Sequence, residues 1–141
     1  MNTDEGIRAS VGQGRLRVWG EAVEVGDDLV AWVAGGTRAH VGAVAVAALR
    51  PSLADAGRLS FTPSLITLAG HKEDTLALEG AAVLSKVTQR TVVLTVGIHI
   101  DDATGAELAA LVQNARDVIK DLADRTPRPA RQGSASNVQP H

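Results

Sequence analysis

Thr91-Val92-Val93-Leu94-Thr95-Val96-Gly97-Ile98-His99-Ile100, followed by Asp101-Asp102-Ala103 and then Thr104-Gly105-Ala106-Glu107, is the stretch on which the fold turns. Its first ten residues are mostly apolar and β-branched, which reads as a central strand buried on both faces. Thr104 with Glu107 three residues later spells a capping box, the clearest local signal in the chain. Behind it Leu108, Leu111, Val112, Ala115, Ile119 and Leu122 recur at helical spacing. A long helix therefore follows the strand and offers it one apolar stripe.

Upstream of this unit, Leu76, Gly80, Val83, Leu84 and Val87 share one face of another helix, with Asp74 or Thr75 as its cap. Gly80 costs about 1 kcal/mol relative to Ala inside a helix, so close packing against another backbone is expected there. Further upstream, Gly14 to Val25 alternates with strand period, and Leu29 to Ala34 and His40 to Leu49 are β-rich runs. Gly35-Gly36-Thr37 between those two runs suits a hairpin. Arg58 to Leu68 makes a further strand, in which Pro63 marks an edge or a bulge. The order β-β-β-β-α-β-α predicts an α+β domain: a four- to five-stranded antiparallel or mixed sheet with two helices on one face. Residues 1–13 show no periodicity and are expected to form a flexible arm, residues 14–125 the domain, and residues 126–141, with Pro127, Pro129 and Gly133, a disordered tail.

The 141 residues suffice for one core, and 45% of them are hydrophobic. A formal net charge of -2 with both signs interspersed lacks the basic footprint of a nucleic-acid or membrane-surface binder. The absence of cysteine excludes disulfides, a thiol nucleophile and cysteine-built zinc sites. Met1 to Ser10 is polar and acidic rather than signal-like, and no apolar run is long enough to span a bilayer, so a cytoplasmic location is expected.

Three of the four histidines stand beside glycine at the edges of the expected elements: Thr37-Arg38-Ala39-His40-Val41-Gly42, Gly70-His71-Lys72-Glu73-Asp74 and Gly97-Ile98-His99-Ile100-Asp101. A lone histidine of this kind is commonly satisfied by a backbone carbonyl; three together are unusual. Gly70, His71 and Lys72 precede a helix, where free N–H groups and the helix dipole favour an anion such as phosphate. An ordinary polar loop with an acidic helix start is the alternative for that pentapeptide. His99 and Asp101, two apart on a strand, point to one face and could ligate a divalent cation or pair with each other. Asp102 could serve only the turn that follows. Trp19, on a strand face with Arg15 and Arg17, suits stacking on a planar anion or a subunit contact. No Gly-x-Ser-x-Gly elbow is present.

Taken in order, these three glycine-histidine segments and the Thr104 helix start resemble the prenylated-flavin chaperones, the small D-type subunits associated with gallate and hydroxyarylic-acid (UbiD-type) decarboxylases. The likeness runs from Gly14 to Leu122, with Asp102 and Ala69 departing from the expected pattern, where an amide and a proline would stand. It implies a dimeric, non-catalytic protein that binds prenylated flavin mononucleotide, partly through phosphate and a divalent cation, and assists delivery to the decarboxylase. On that resemblance His40, His71, Lys72, His99 and Asp101 become the candidates for phosphate and metal contacts. With Gly70 of the helix-start loop and Trp19 as a stacking surface, the expected cofactor contacts are His40, Gly70, His71, Lys72 and Trp19, and the expected metal contacts His99 and Asp101. Two rival readings are a small metal-dependent hydrolase or lyase built on His40, His99 and Asp101, and a purely structural decarboxylase subunit. A homodimer is expected on physical grounds as well. Helices on one sheet face leave the other needing cover, with Trp19 or Trp32 near the contact.

Overall fold

A β-branched run satisfies its backbone only with a neighbour on each edge, and Val92–His99 has both. The computed structural model describes residues 5–55, 57–68 and 72–130. Among them are β1 (Ile7–Val11), β2 (Val18–Val25), β3 (Asp28–Gly36), β4 (Ala43–Pro51), β5 (Leu59–Thr67), α1 (Lys72–Thr88), β6 (Val92–His99) and α2 (Gly105–Arg125), with a short 3-10 turn at Gly14–Leu16. The strands form one mixed sheet in the order β1-β2-β3-β6-β4-β5. β3 and β6 are parallel, and every other neighbouring pair is antiparallel.

The helices lie together on one face. α1 carries the chain from β5 across β4 to β6, while α2 returns over β3, β2 and β1. Between sheet and helices, Leu94, Val96 and Ile98 of β6, Ala43 and Ala45 of β4 and Val33 of β3 meet Leu76 and Leu84 of α1 and Leu111, Val118 and Leu122 of α2. Each fully buried Leu, Val or Ile contributes roughly 1.5–3 kcal/mol, and the small alanines let the helix backbones sit close to the sheet. No helix among the described residues is long and apolar enough to cross a membrane.

Several expectations are corrected. The sheet has six strands rather than four or five, because Ile7–Val11, expected in a flexible arm, pairs with β2 as the edge strand β1. β3 and β4 do not form a hairpin, since β6 is inserted between them. β6 is central, yet Val93, Thr95 and His99 are only half-buried, so one of its faces is open. α1 begins at Lys72, which puts Asp74 and Thr75 inside the helix. A Cβ on Gly80 would come within 2.6 Å of Leu94 Cδ2 and 2.7 Å of Ile119 Cδ1, so the close packing is against side chains rather than backbone. Arg15 lies in the 3-10 turn, off the strand face that Arg17 shares with Trp19. The segment expected to be a disordered tail starts as a docked one: Thr126 is buried, and Arg90 donates to the Pro127 carbonyl from Nε at 3.1 Å and from a terminal nitrogen at 3.0 Å. Pro63 does sit on an edge strand.

Candidate functional site

To reach β4 from the end of β3 the chain must get past β6, and residues 37–42 do so at the C-terminal end of that strand. Thr37 N and Arg38 N donate to the His99 carbonyl at 2.7 and 3.4 Å, and Gly42 N donates to the Val96 carbonyl at 2.9 Å. Glycine is required at two contacts of this crossing. Gly36 has φ 83°, and any Cβ there would collide with the His99 carbonyl. A Cβ on Gly97 would collide with the His40 carbonyl. Two of the glycine-histidine motifs are therefore the two sides of one backbone contact.

The same end of the sheet receives the N-termini of both helices, as α1 follows β5 and α2 follows β6. Their dipoles put partial positive charge beside the crossing. Thr104 caps α2 by accepting from Glu107 N at 3.0 Å, and Glu107 Oε1 accepts from Thr104 N at 3.0 Å, which completes the capping box. Arg15 donates to the Asp101 carbonyl at 2.6 Å and pairs with Glu107 at 3.0 Å, fixing the turn between β6 and α2. Asp102 stands in that turn at φ 51°, a conformation that Asp and Asn tolerate better than most residues, so its reading as a turn residue fits.

His40 Nε2 lies 3.3 Å from Glu73 Oε1, a carboxylate on the first turn of α1 with only 3% of its side chain exposed, and His40 Nδ1 lies 3.1 Å from the Arg38 carbonyl. His99 Nε2 lies 2.9 Å from Asp101 Oδ1. The Thr37 hydroxyl accepts from Asp101 N at 3.0 Å and donates to the His99 carbonyl at 3.3 Å. The hydrogen bond from His99, with help from the Arg38 charge and the Thr37 hydroxyl, holds the Asp101 carboxyl below its ordinary value. The Glu107 carboxyl is also lowered, first by the Thr104 backbone N–H and then by Arg15.

His40, His99 and Asp101 thus lie at the same end of the sheet. Gly70 and His71 fall outside the described residues, and so does the side chain of Lys72, whose backbone opens α1 at this rim. His99 and Asp101 pair with each other, and no cluster of three or more His, Asp or Glu suited to a metal occurs among the described residues. Trp19 lies two strands away, opposite Ala34, which is itself opposite Gly97. Three contributors were missed by sequence reasoning: Thr37, Arg15 as a tether of the β6–α2 turn, and Glu73, read only as part of an acidic helix start. Gly42 was the available signal for Glu73, because a Cβ there would touch the Glu73 side chain.

The architecture recurs in a solved structure. A chain from the crystal structure of a chaperone complex for yeast 20S proteasome assembly superposes with a TM-score of 0.53 over 84% of this chain and 97% of that one. At 12% identity the likeness concerns the fold alone. No curated protein matches the chain. The family is established by the sequence, since residues 12–126 match the prenylated flavin chaperone LpdD-like domain, and the chain belongs to that family.

Proposed function

We propose that this chain holds prenylated FMN and delivers it to a UbiD-type hydroxyarylic-acid decarboxylase in the cytoplasm, without catalysing a reaction itself. Family membership supports the cofactor class. The observation that carries the reading to particular residues is the rim, where the 37–42 crossing, the end of β6 and both helix N-termini converge with His40 and His99. On this reading Gly70, His71 and Lys72, which run into α1 in the sequence, would hold the cofactor phosphate, and His40 would join them by exchanging its Glu73 contact for the phosphate. His99 and Asp101 supply part of a divalent cation's shell, and phosphate oxygens would supply more of it. The bound cofactor carries the carbon chemistry that the decarboxylase uses. What this chain does is bind it, shield it and release it.

The open sheet face supports a homodimer. Trp32 is 37%, Val30 43% and Ile66 64% exposed on the face away from the helices, with half-buried Val93, Val44 and Val46 between them. A contiguous apolar surface of this kind calls for cover.

Co-expression with a flavin prenyltransferase tests the proposal. The purified protein is expected to carry the absorption and native mass of one prenylated FMN per chain and to activate a cofactor-free UbiD-type decarboxylase on mixing. Protein that emerges without flavin, or that turns over substrate with no decarboxylase present, would overturn it.

A further inference from the structure

The rim gathers groups that could hold a phosphate, but neither tryptophan lies on it. The whole chain has two tryptophans, one phenylalanine and no tyrosine. Both tryptophans line a single groove, on the open sheet face beside the β1 edge, with a volume of about 400 Å³. That is within the usual range for a small-molecule site. Strand register assembles it: Ser10 lies opposite Trp19, Arg8 opposite Glu21, and Glu21 opposite Trp32, so alternate residues of three strands share one surface.

Arg17 is held in place there. Its Nε donates to Ser10 Oγ at 2.9 Å, and its guanidinium carbon sits 4.9 Å from the centre of the Trp19 ring. A guanidinium stacked on indole presents a second planar, cationic surface outward. Trp32, 37% exposed, presents an apolar one beside it. Arg8 and Glu21 close the groove with polar groups paired at 3.3 Å, able to meet a heterocycle's carbonyl and N–H edge.

We infer that this groove, lined by Arg8, Ser10, Arg17, Trp19, Glu21 and Trp32, is the seat of the flavin ring system, separate from the phosphate-holding rim. The inference rests on the prenylated-FMN reading and adds the position and the residues of the ring. Two strand spacings, about 10 Å, separate Trp19 from Gly97, against which His40 lies. A ribityl phosphate arm spans such a gap, so one cofactor can reach both places.

The test separates ring from phosphate. Full-length protein is titrated with prenylated FMN and with the same compound after phosphatase treatment, following the ligand's own absorption, which reports binding wherever the ring sits. Trp19→Leu and Arg17→Leu are expected to weaken both ligands alike, by roughly five- to thirtyfold. Lys72→Ala is expected to weaken only the phosphorylated one. Arg17 is exposed, so its variant keeps the test valid if Trp19→Leu fails to fold, as circular dichroism would show. Undiminished affinity in folded Arg17→Leu and Trp32→Leu, with binding still sensitive to Lys72→Ala, would overturn the ring position and leave the cofactor reading standing. Failure of the wild-type protein to bind either compound would overturn both.

Discussion

Single atoms decide the shape of the rim. At Gly97 there is no room for even a methyl group, because the His40 carbonyl occupies the place of a Cβ. Gly97→Ala must push the 37–42 crossing away, and overpacking of this kind costs about 1–3 kcal/mol. The expected outcome is a lowered melting temperature together with weakened flavin binding; a variant with wild-type stability and affinity would show that the crossing does not depend on this contact. Asp101 gives a second test. Its carboxyl is lowered from 3.8 chiefly by the hydrogen bond from His99. Because the folded value lies below the unfolded one, the stabilising contribution is complete above pH ~3.8 and is lost as pH falls through the lower folded value. Carbon-detected NMR titration of the Asp101 carboxyl should show a midpoint below 3.8 in the wild type and a return towards it in His99→Ala. Equal midpoints would mean that the pair does not persist in solution.

Helices and strands show which parts of the molecule local sequence can specify. The capping box at Thr104 and Glu107 is present as read, and Thr104→Ala should cost about 1 kcal/mol, seen as an earlier denaturant midpoint with an unchanged slope. The α2 stripe, the central place of β6 and the edge place of β5 were legible for the same reason: each is written in periodicity or in one proline. What was not legible differs from place to place. Ile7–Val11 alternates apolar and polar residues over a single five-residue run beside a polar N-terminus and is fixed as a strand by pairing with β2, while Gly35-Gly36 looks like a hairpin until β6, more than fifty residues later, takes the place between β3 and β4. At the site, His40, His99 and Asp101 were visible as motifs, whereas the burial of Glu73 beside His40 follows only from how α1 packs. The start of the C-terminal segment belongs with these. Arg90, 2% exposed, holds Pro127 O, Gly26 O at 3.0 Å and Glu24 at 2.9 Å. Arg90→Met is expected to destabilise by about 1–3 kcal/mol, from the carbonyls it leaves unpaired, since Glu24 keeps its contact with water. Removal of residues 126–141 should lower the melting temperature, whereas removal of residues 131–141 alone should not; identical melting of both truncations would show that this docking contributes nothing.

For the whole molecule the two faces of the sheet differ, and that difference sets how the protein exists in solution. One face is sealed by α1 and α2, while the other exposes Val30, Trp32 and Ile66 around half-buried valines. A second copy laid sheet to sheet would cover this surface by pairing it with itself, as two-fold symmetry requires. The tryptophan groove lies towards the β1 and β2 side, so a copy seated on Val30, Val93 and Val46 would border it rather than fill it. Dimerisation and flavin binding are then expected to favour each other, because the second copy would shield the ring from water on one side. Light scattering at micromolar concentration should report twice the chain mass, and a variant with both Val30→Lys and Val46→Lys should report one chain, since two lysines facing their own copies across the two-fold axis bring four like charges into an apolar contact. Both positions are on the open face, so the core is untouched and circular dichroism should be unchanged. The monomeric variant should also hold prenylated FMN more weakly and release it faster than the wild type. A wild-type monomer would remove the dimer from the scheme, and a folded double-lysine variant that still dimerises would move the contact to another surface, with the edge strand β5 the next to examine by substitution at Ile66.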